Sequence, residues 1–177
     1  LVLQTQPIAH VPEEQLIWMI QNAEIWEMEE GEPLFSPGDE SNHLFILLEG
    51  RIRIWLGAGK NSKELSRIEA GEITGVLPYS RLASAVANSE ALEKIKILAL
   101  HKEKFPEMIK TQYELTAALV HVMNDRIRNF TTLRQQDEKL VSLGKLSAGI
   151  AHELNNPAAA LVRGAKELQQ HQGFVPE

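Results

Sequence analysis

Apolar positions change their spacing twice along this chain, and the changes divide it into three regions. After Pro12-Glu13-Glu14, with proline and acids where a first helical turn accepts them, Leu16, Ile17, Met19 and Ile20 recur at helical intervals. From Ile25 to about Leu100 the apolar runs shorten to strand length and are divided by Gly, Pro, Asn and Asp. Leu44-Phe45-Ile46-Leu47-Leu48 reads as a buried strand. Arg51-Ile52-Arg53-Ile54-Trp55 alternates, which puts the arginines on one face and the isoleucines on the other. Gly57-Ala58-Gly59-Lys60-Asn61 is the expected hairpin tip. Short strands with turn signals at regular intervals predict a sandwich or barrel.

Beyond the strands the helical period returns. Leu100 to Ile109 reads as a helical segment that restarts at Pro106, and a long helix is expected from about Tyr113. Its apolar stripe runs Leu115, Leu119, Val122, Met123, Ile127, Phe130, Leu133, Leu140, Leu143, Leu146, Ile150 and Leu154, with most steps of three, four or seven. Gln135-Gln136-Asp137-Glu138 interrupts it, and Gly144 and Gly149 soften the helix further on. A single helix cannot bury such a stripe against itself. The simplest cover is the same helix of a second subunit, so a parallel homodimer is expected.

The glycines refine the β region. Gly31, Gly38 and Gly50 stand at the corners of successive strands, in the run Gly31-x-x-Leu34-Phe35-x-x-Gly38-Asp39-x-Ser41-Asn42-x-Leu44-Phe45-x-Leu47-x-x-Gly50-x-Ile52-x-Ile54. Over roughly residues 12–110 this pattern resembles the cyclic-nucleotide-binding domain family. The resemblance implies a β + α protein: a jelly-roll barrel, or β-roll, with flanking helices, followed here by the long C-terminal dimerisation helix. In that family a Gly-Glu pair, a short helix and Arg-x-Ala-Ser/Thr hold the cyclic phosphate and the ribose hydroxyl through helix amides, a guanidinium and a carboxylate. Arg81-Leu82-Ala83-Ser84 fits the second half. The first half departs from the pattern. With Gly75 as the cassette glycine, Val76 stands where the sugar-binding glutamate belongs and Arg81 follows too soon. With Gly71-Glu72 the spacing improves, but that pair suits the turn before the cassette. Pro78 obstructs an ordinary helix here. Gly75, Tyr79, Arg81 and Ser84 are the candidate ligand residues, and cAMP or cGMP is expected to bind weakly or not at all. Another small ligand, or a roll kept as a dimerisation and relay module, fits better.

The sharpest motif lies near the C-terminus: Leu146-Ser147-Ala148-Gly149-Ile150-Ala151-His152-Glu153-Leu154-Asn155-Asn156-Pro157. On a helix His152 and Asn156 share a face one turn apart, and Glu153 flanks the imidazole. A neutral imidazole is nucleophilic near pH 7, and an adjacent carboxylate can orient it and take its proton. The letters nearly spell the zinc-protease helix H-E-x-x-H, but Asn156 is a poor zinc ligand and Pro157 disturbs the backbone, so no metal site is expected. The segment resembles the H-box of two-component sensor histidine kinases, of the H-E-x-N-N-P kind. That resemblance implies that His152 accepts a phosphoryl group from ATP and passes it to an aspartate of a response-regulator receiver domain. It also implies that Glu153 is the orienting base, and that Asn156 places a water for dephosphorylation or contacts the catalytic domain. ATP and Mg²⁺ belong to a separate ATP-binding domain of the full-length kinase. The chain has no Gly-rich ATP-lid motif, so no cofactor is expected in it and alone it is catalytically incomplete.

Composition removes other classes. The net charge of −6 and the lack of clustered Lys and Arg argue against a nucleic-acid surface. Absence of cysteine excludes disulfides, thiolate catalysis and Cys-based metal sites. No apolar run approaches the ~20 residues that span a bilayer, and no signal-peptide pattern opens the chain, so a cytoplasmic location is expected. The absence of an initial methionine and the end soon after the H-box point to a piece of something longer. The expected division is residues 1–110 as sensor, 111–138 as a connecting coiled-coil helix, and 139–177 as the first helix of a dimerisation and phosphoacceptor domain. A ligand-responsive transcription regulator also follows this β-roll with a long helix. It then needs a helix-turn-helix with basic and polar readers, which the segment from Gly144 does not supply.

Overall fold

A computed structural model describes residues 6–59, 62–132, 135, 136 and 139. Helix α1 (Glu13–Asn22) precedes seven strands: β1 (Glu24–Met28), β2 (His43–Glu49), β3 (Arg51–Leu56), β4 (Lys63–Glu69), β5 (Ile73–Gly75), β6 (Asn88–Ala91) and β7 (Ile95–His101). A 3-10 turn at Lys102–Lys104 leads into α2 (Phe105–Thr111). After Gln112, whose φ of −120° and ψ of 73° break the helix, residues 113–132 are helical again and are termed α3. The chain divides into two compact units, Leu1–Arg126 and Ile127–Glu177.

The strands make two antiparallel sheets, ordered β1-β7-β2-β5 and β4-β3-β6. Of the sandwich or barrel expected from the strand spacing, the structure shows an open sandwich, so the jelly-roll barrel that the resemblance implied is not closed. Strand alternation encodes which face is buried but not which edges meet. The buried run at Leu44–Leu48 has a specific cause. Leu44, Ile46 and Leu48 join a core with α1, α2 and α3, while Phe45 and Leu47 join a second core between the sheets. A strand covered on both faces has no solvent side to alternate with. Strand β3 follows its sequence pattern. Ile52 and Ile54 point inward, Arg51 pairs with Glu93 at 2.9 Å, and the Arg53 guanidinium lies 4.5 Å over the Trp55 ring.

Gly50 turns β2 into β3 with φ +85°, and a Cβ there would come within 2.7 Å of the Lys94 carbonyl oxygen and the Ile95 side chain. Only glycine satisfies both demands. In α1 the structure buries Leu16 and Met19 but leaves Ile17 and Ile20 exposed, so the apolar face is narrower than the sequence pattern. Pro106 sits in the first turn of α2, the restart expected there.

The largest correction concerns the long stripe. Leu115 and Leu119 are fully buried against the roll, and Val122 and Met123 pack on the same core. The first turns of the stripe are therefore covered within one subunit rather than by a second copy. The start of α3 is fixed by Gln15 of α1, whose amide oxygen accepts the Leu115 backbone N–H at 2.9 Å and whose amide nitrogen donates to the Glu114 carboxylate. That bond satisfies one of the orphan N–H groups of a helix start. The stripe from Leu140 onward and the coiled-coil interruption at 137–138 lie outside the described residues.

Candidate functional site

The cassette segment begins where β5 ends. Gly75 has φ +79°, and a Cβ on it would approach the His43 carbonyl oxygen to 2.3 Å. That carbonyl accepts the Val76 N–H at 3.0 Å, which steers the chain inward. Val76 and Leu77 then enter the helix-side core, 5% and 2% exposed. Val76, which stands in place of the sugar-binding carboxylate in one alignment, thus faces apolar neighbours. A turn follows, closed by Ser80 N–H to the Leu77 carbonyl at 3.0 Å, with Tyr79 in the left-handed region at φ 64°. No helix forms anywhere between residues 76 and 87. Pro78 is consistent with that outcome, and the aligned helix amides that cradle a phosphate are missing with it.

The four ligand candidates are strung along this loop rather than gathered. Tyr79 is 65% exposed, and Arg81 is exposed with no hydrogen bond or ion pair among the described residues. Ser84 forms an isolated bridge with Glu40, and residues 83–85 are held by backbone bonds to Gly38, Asp39 and Ser41. The loop is anchored, but its polar groups do not converge. His152, Glu153 and Asn156 lie outside the described residues. Among the described residues no group of three His, Cys, Asp or Glu side chains is placed to hold a metal ion, and no helix is long and apolar enough to cross a membrane.

Two features near the cassette escaped the sequence reading. The first is Arg126, near the end of α3. Its Nη1 donates to the Gly75 carbonyl at 2.8 Å and its Nη2 to the Ile73 carbonyl at 3.1 Å. Desolvation draws its pKa below the ordinary guanidinium value. The only signal in the sequence was its phase, because Arg126 follows Leu115, Leu119 and Val122 at steps of four, three and four.

The second feature is a cross-strand histidine pair. His43 of β2 sits opposite His101 of β7, with ring centroids 4.7 Å apart, and Trp26 lies 4.8 Å from His43. His101 Nδ1 accepts the Glu103 N–H at 3.3 Å and so caps the 3-10 turn. Burial, and secondly the neighbouring His101, lower the pKa of His43, against a smaller opposing effect of Glu24. A lowered folded pKa means that protons bind the unfolded chain more readily. Stability is therefore full above the unfolded value of about 6.5 and declines as pH falls from there through the folded pKa of His43. Other groups around the pair are Glu103, Lys102 and Glu40, whose Lys102–Glu40 ion pair at 3.0 Å persists in this range. Melting temperatures at pH 7.5 and 5.5 should differ less in His43→Gln than in the wild type. An unchanged difference would show that His43 is not the titrating group.

With this geometry in view, the likeness to known proteins is informative. Residues 25–112 match the family model described as cyclic nucleotide-binding domain. The catabolite activator protein of Thermus thermophilus superposes with a TM-score of 0.65 at 19% identity, over 73% of this chain and 61% of that one. The N-terminal domain of a transcriptional regulator from Streptomyces coelicolor gives 0.58 at 22% identity, over 73% and 94%. The sensor domain of the transcriptional regulator DNR from Pseudomonas aeruginosa gives 0.60 at 14% identity, over 74% and 89%. No curated protein matches the chain. At these identities the likeness is one of fold. Residues 25–112 thus match a cyclic nucleotide-binding domain, and they are built as two antiparallel sheets with flanking helices. The family match ends at residue 112, before the histidine motif.

Proposed function

We propose that this chain is the sensor and phosphoacceptor portion of a two-component histidine kinase, with the roll as its input domain and His152 as its phosphorylation site. One observation carries the reading: a cyclic nucleotide-binding-type domain is followed, in the same chain, by Ala151-His152-Glu153-Leu154-Asn155-Asn156-Pro157. In this reading His152 attacks the γ-phosphorus of ATP, the bond to the ADP oxygen breaks, and the imidazole proton passes to Glu153. ATP and Mg²⁺ are held by a separate catalytic domain, and the phosphoryl group moves on to a receiver-domain aspartate. The test is to add a histidine-kinase catalytic domain with ATP. Label on the chain in that mixture, and none with ATP alone, is the expected result, whereas self-labelling would reveal an ATP site in this chain.

A transcription regulator is the second reading, favoured by the likeness in fold to the catabolite activator protein. It would need DNA readers after α3, and the sequence there offers the histidine motif instead.

The rewritten cassette supports a roll that does not take cAMP or cGMP by the usual contacts. Val76 is buried, the cassette helix is absent and Arg81 stands apart. Calorimetric titration should give a dissociation constant weaker than about 100 μM for either nucleotide, less than about 5.5 kcal/mol of binding. Micromolar binding would return the roll to standard cyclic-nucleotide sensing. Homodimerisation belongs to this proposal as well. Ile127 and Phe130, 56% and 52% exposed and three residues apart on a helix, are apolar side chains that a second copy would cover.

A further inference from the structure

Strand β5 is the edge of its sheet and only three residues long. Its pairing with β2 uses alternate residues. The Glu72 carbonyl accepts from Leu47 N–H, Thr74 faces Phe45, and Val76 N–H donates to the His43 carbonyl. The carbonyls of Ile73 and Gly75 therefore point the other way, off the sheet. Those are the two oxygens that Arg126 takes. A planar guanidinium whose two terminal nitrogens direct N–H groups apart can serve two acceptors spaced two residues apart along a strand edge.

We infer that Arg126 is a positioning residue, a latch that ties the far end of α3 to the backbone conformation of the cassette and thereby lets the roll govern the chain beyond. This rests on the kinase reading above for what lies beyond, but not for the latch itself. Three observations support it. Helix α3 is already fixed at its start by Gln15, so a second tie at Arg126 holds the turns between these two points on the roll. The Gly75 carbonyl direction is set by the same left-handed backbone and the same close approach to His43 that start the cassette. A rotation of the Gly75–Val76 peptide, as the cassette loop rearranges, would swing that acceptor away. Finally, Arg126 has no carboxylate partner among the described residues, so the two carbonyls are the acceptors that hold its exposed side chain in place.

Hydrogen exchange followed by mass spectrometry tests the latch in this chain. Arg126→Gln should speed exchange of the amides of residues 119–126 by about 10- to 100-fold, the range expected for losing hydrogen bonds from a charged donor, while β2 and β7 stay protected. Arg126→Lys should behave like the glutamine variant, because an ammonium cannot span both carbonyls. Unchanged exchange in Arg126→Gln, or full protection in Arg126→Lys, would overturn the latch. In the complete kinase Arg126→Gln should change the initial rate of His152 labelling at least threefold with the melting temperature of the roll nearly unchanged. Faster exchange with an unaltered labelling rate would overturn its control of output. Failure of the wild-type kinase to label His152 would instead overturn the kinase reading, leaving the exchange result to decide the latch.

Discussion

Loss of all phosphoryl labelling is the expected result of His152→Gln in the complete kinase supplied with ATP. The wild-type product should be acid-labile and stable to base, as a phosphoramidate is. Glutamine keeps polarity and similar length but has no nucleophilic ring nitrogen, so the covalent step has no acceptor. The roll lies in a separate compact unit and should keep its melting temperature. Glu153→Gln should slow labelling by ~10²–10⁴-fold, the usual share of a positioned general base, and its pH–rate profile should lose the limb that reports the carboxylate. Persistent label in His152→Gln would place the phosphate on another residue and remove the basis of the proposed function.

The second large effect separates the two halves of the apolar stripe. Leu119 is fully buried in the core shared by α1, α2 and the first sheet. Leu119→Ala should cost about 2–5 kcal/mol of folding stability, and Leu119→Asp should prevent the roll from folding, since an unpaired carboxylate in that core is costlier still. Ile127→Asp with Phe130→Asp should leave the roll's melting temperature within a few degrees and yield monomers by sedimentation. A stable, folded Leu119→Asp monomer would mean that this turn of α3 faces a second subunit after all. A dimeric double variant would remove Ile127 and Phe130 from the proposed seam.

The contrast shows what the sequence could encode. Helical phase announced that Leu115, Leu119 and Val122 need cover, but phase carries no address, and the cover is the roll itself. The β region was more legible. The unbroken run in β2, the alternation in β3 and the turn glycines each reflect a local constraint that leaves its mark on neighbouring letters. Sheet closure left no such mark, because it depends on which distant edges meet. In the cassette, Val76 and Pro78 signalled the departure from the family's pattern, and the structure adds a turn with Val76 buried. Arg126 and the His43–His101 pair depend on register between elements far apart in the chain, and a single sequence does not display that register.

The bond from Gln15 to Leu115 joins residues 100 positions apart, and it sets the timing of the molecule's birth. Helix α1 has ten residues, too few to persist in water without packing. Its buried side chains meet α3, which is made last among the roll's elements. At a synthesis rate of about 5–20 residues per second, α1 waits roughly 5–20 s on the ribosome for its final partner. A nascent chain stopped at residue 110, before Leu115 and Leu119 emerge, holds the whole sandwich sequence yet lacks the lid of its helix-side core. Chains from which the sandwich has emerged but Leu115 and Leu119 have not should expose Leu16 and Met19 to chaperones, and those from which residue 126 has emerged should not.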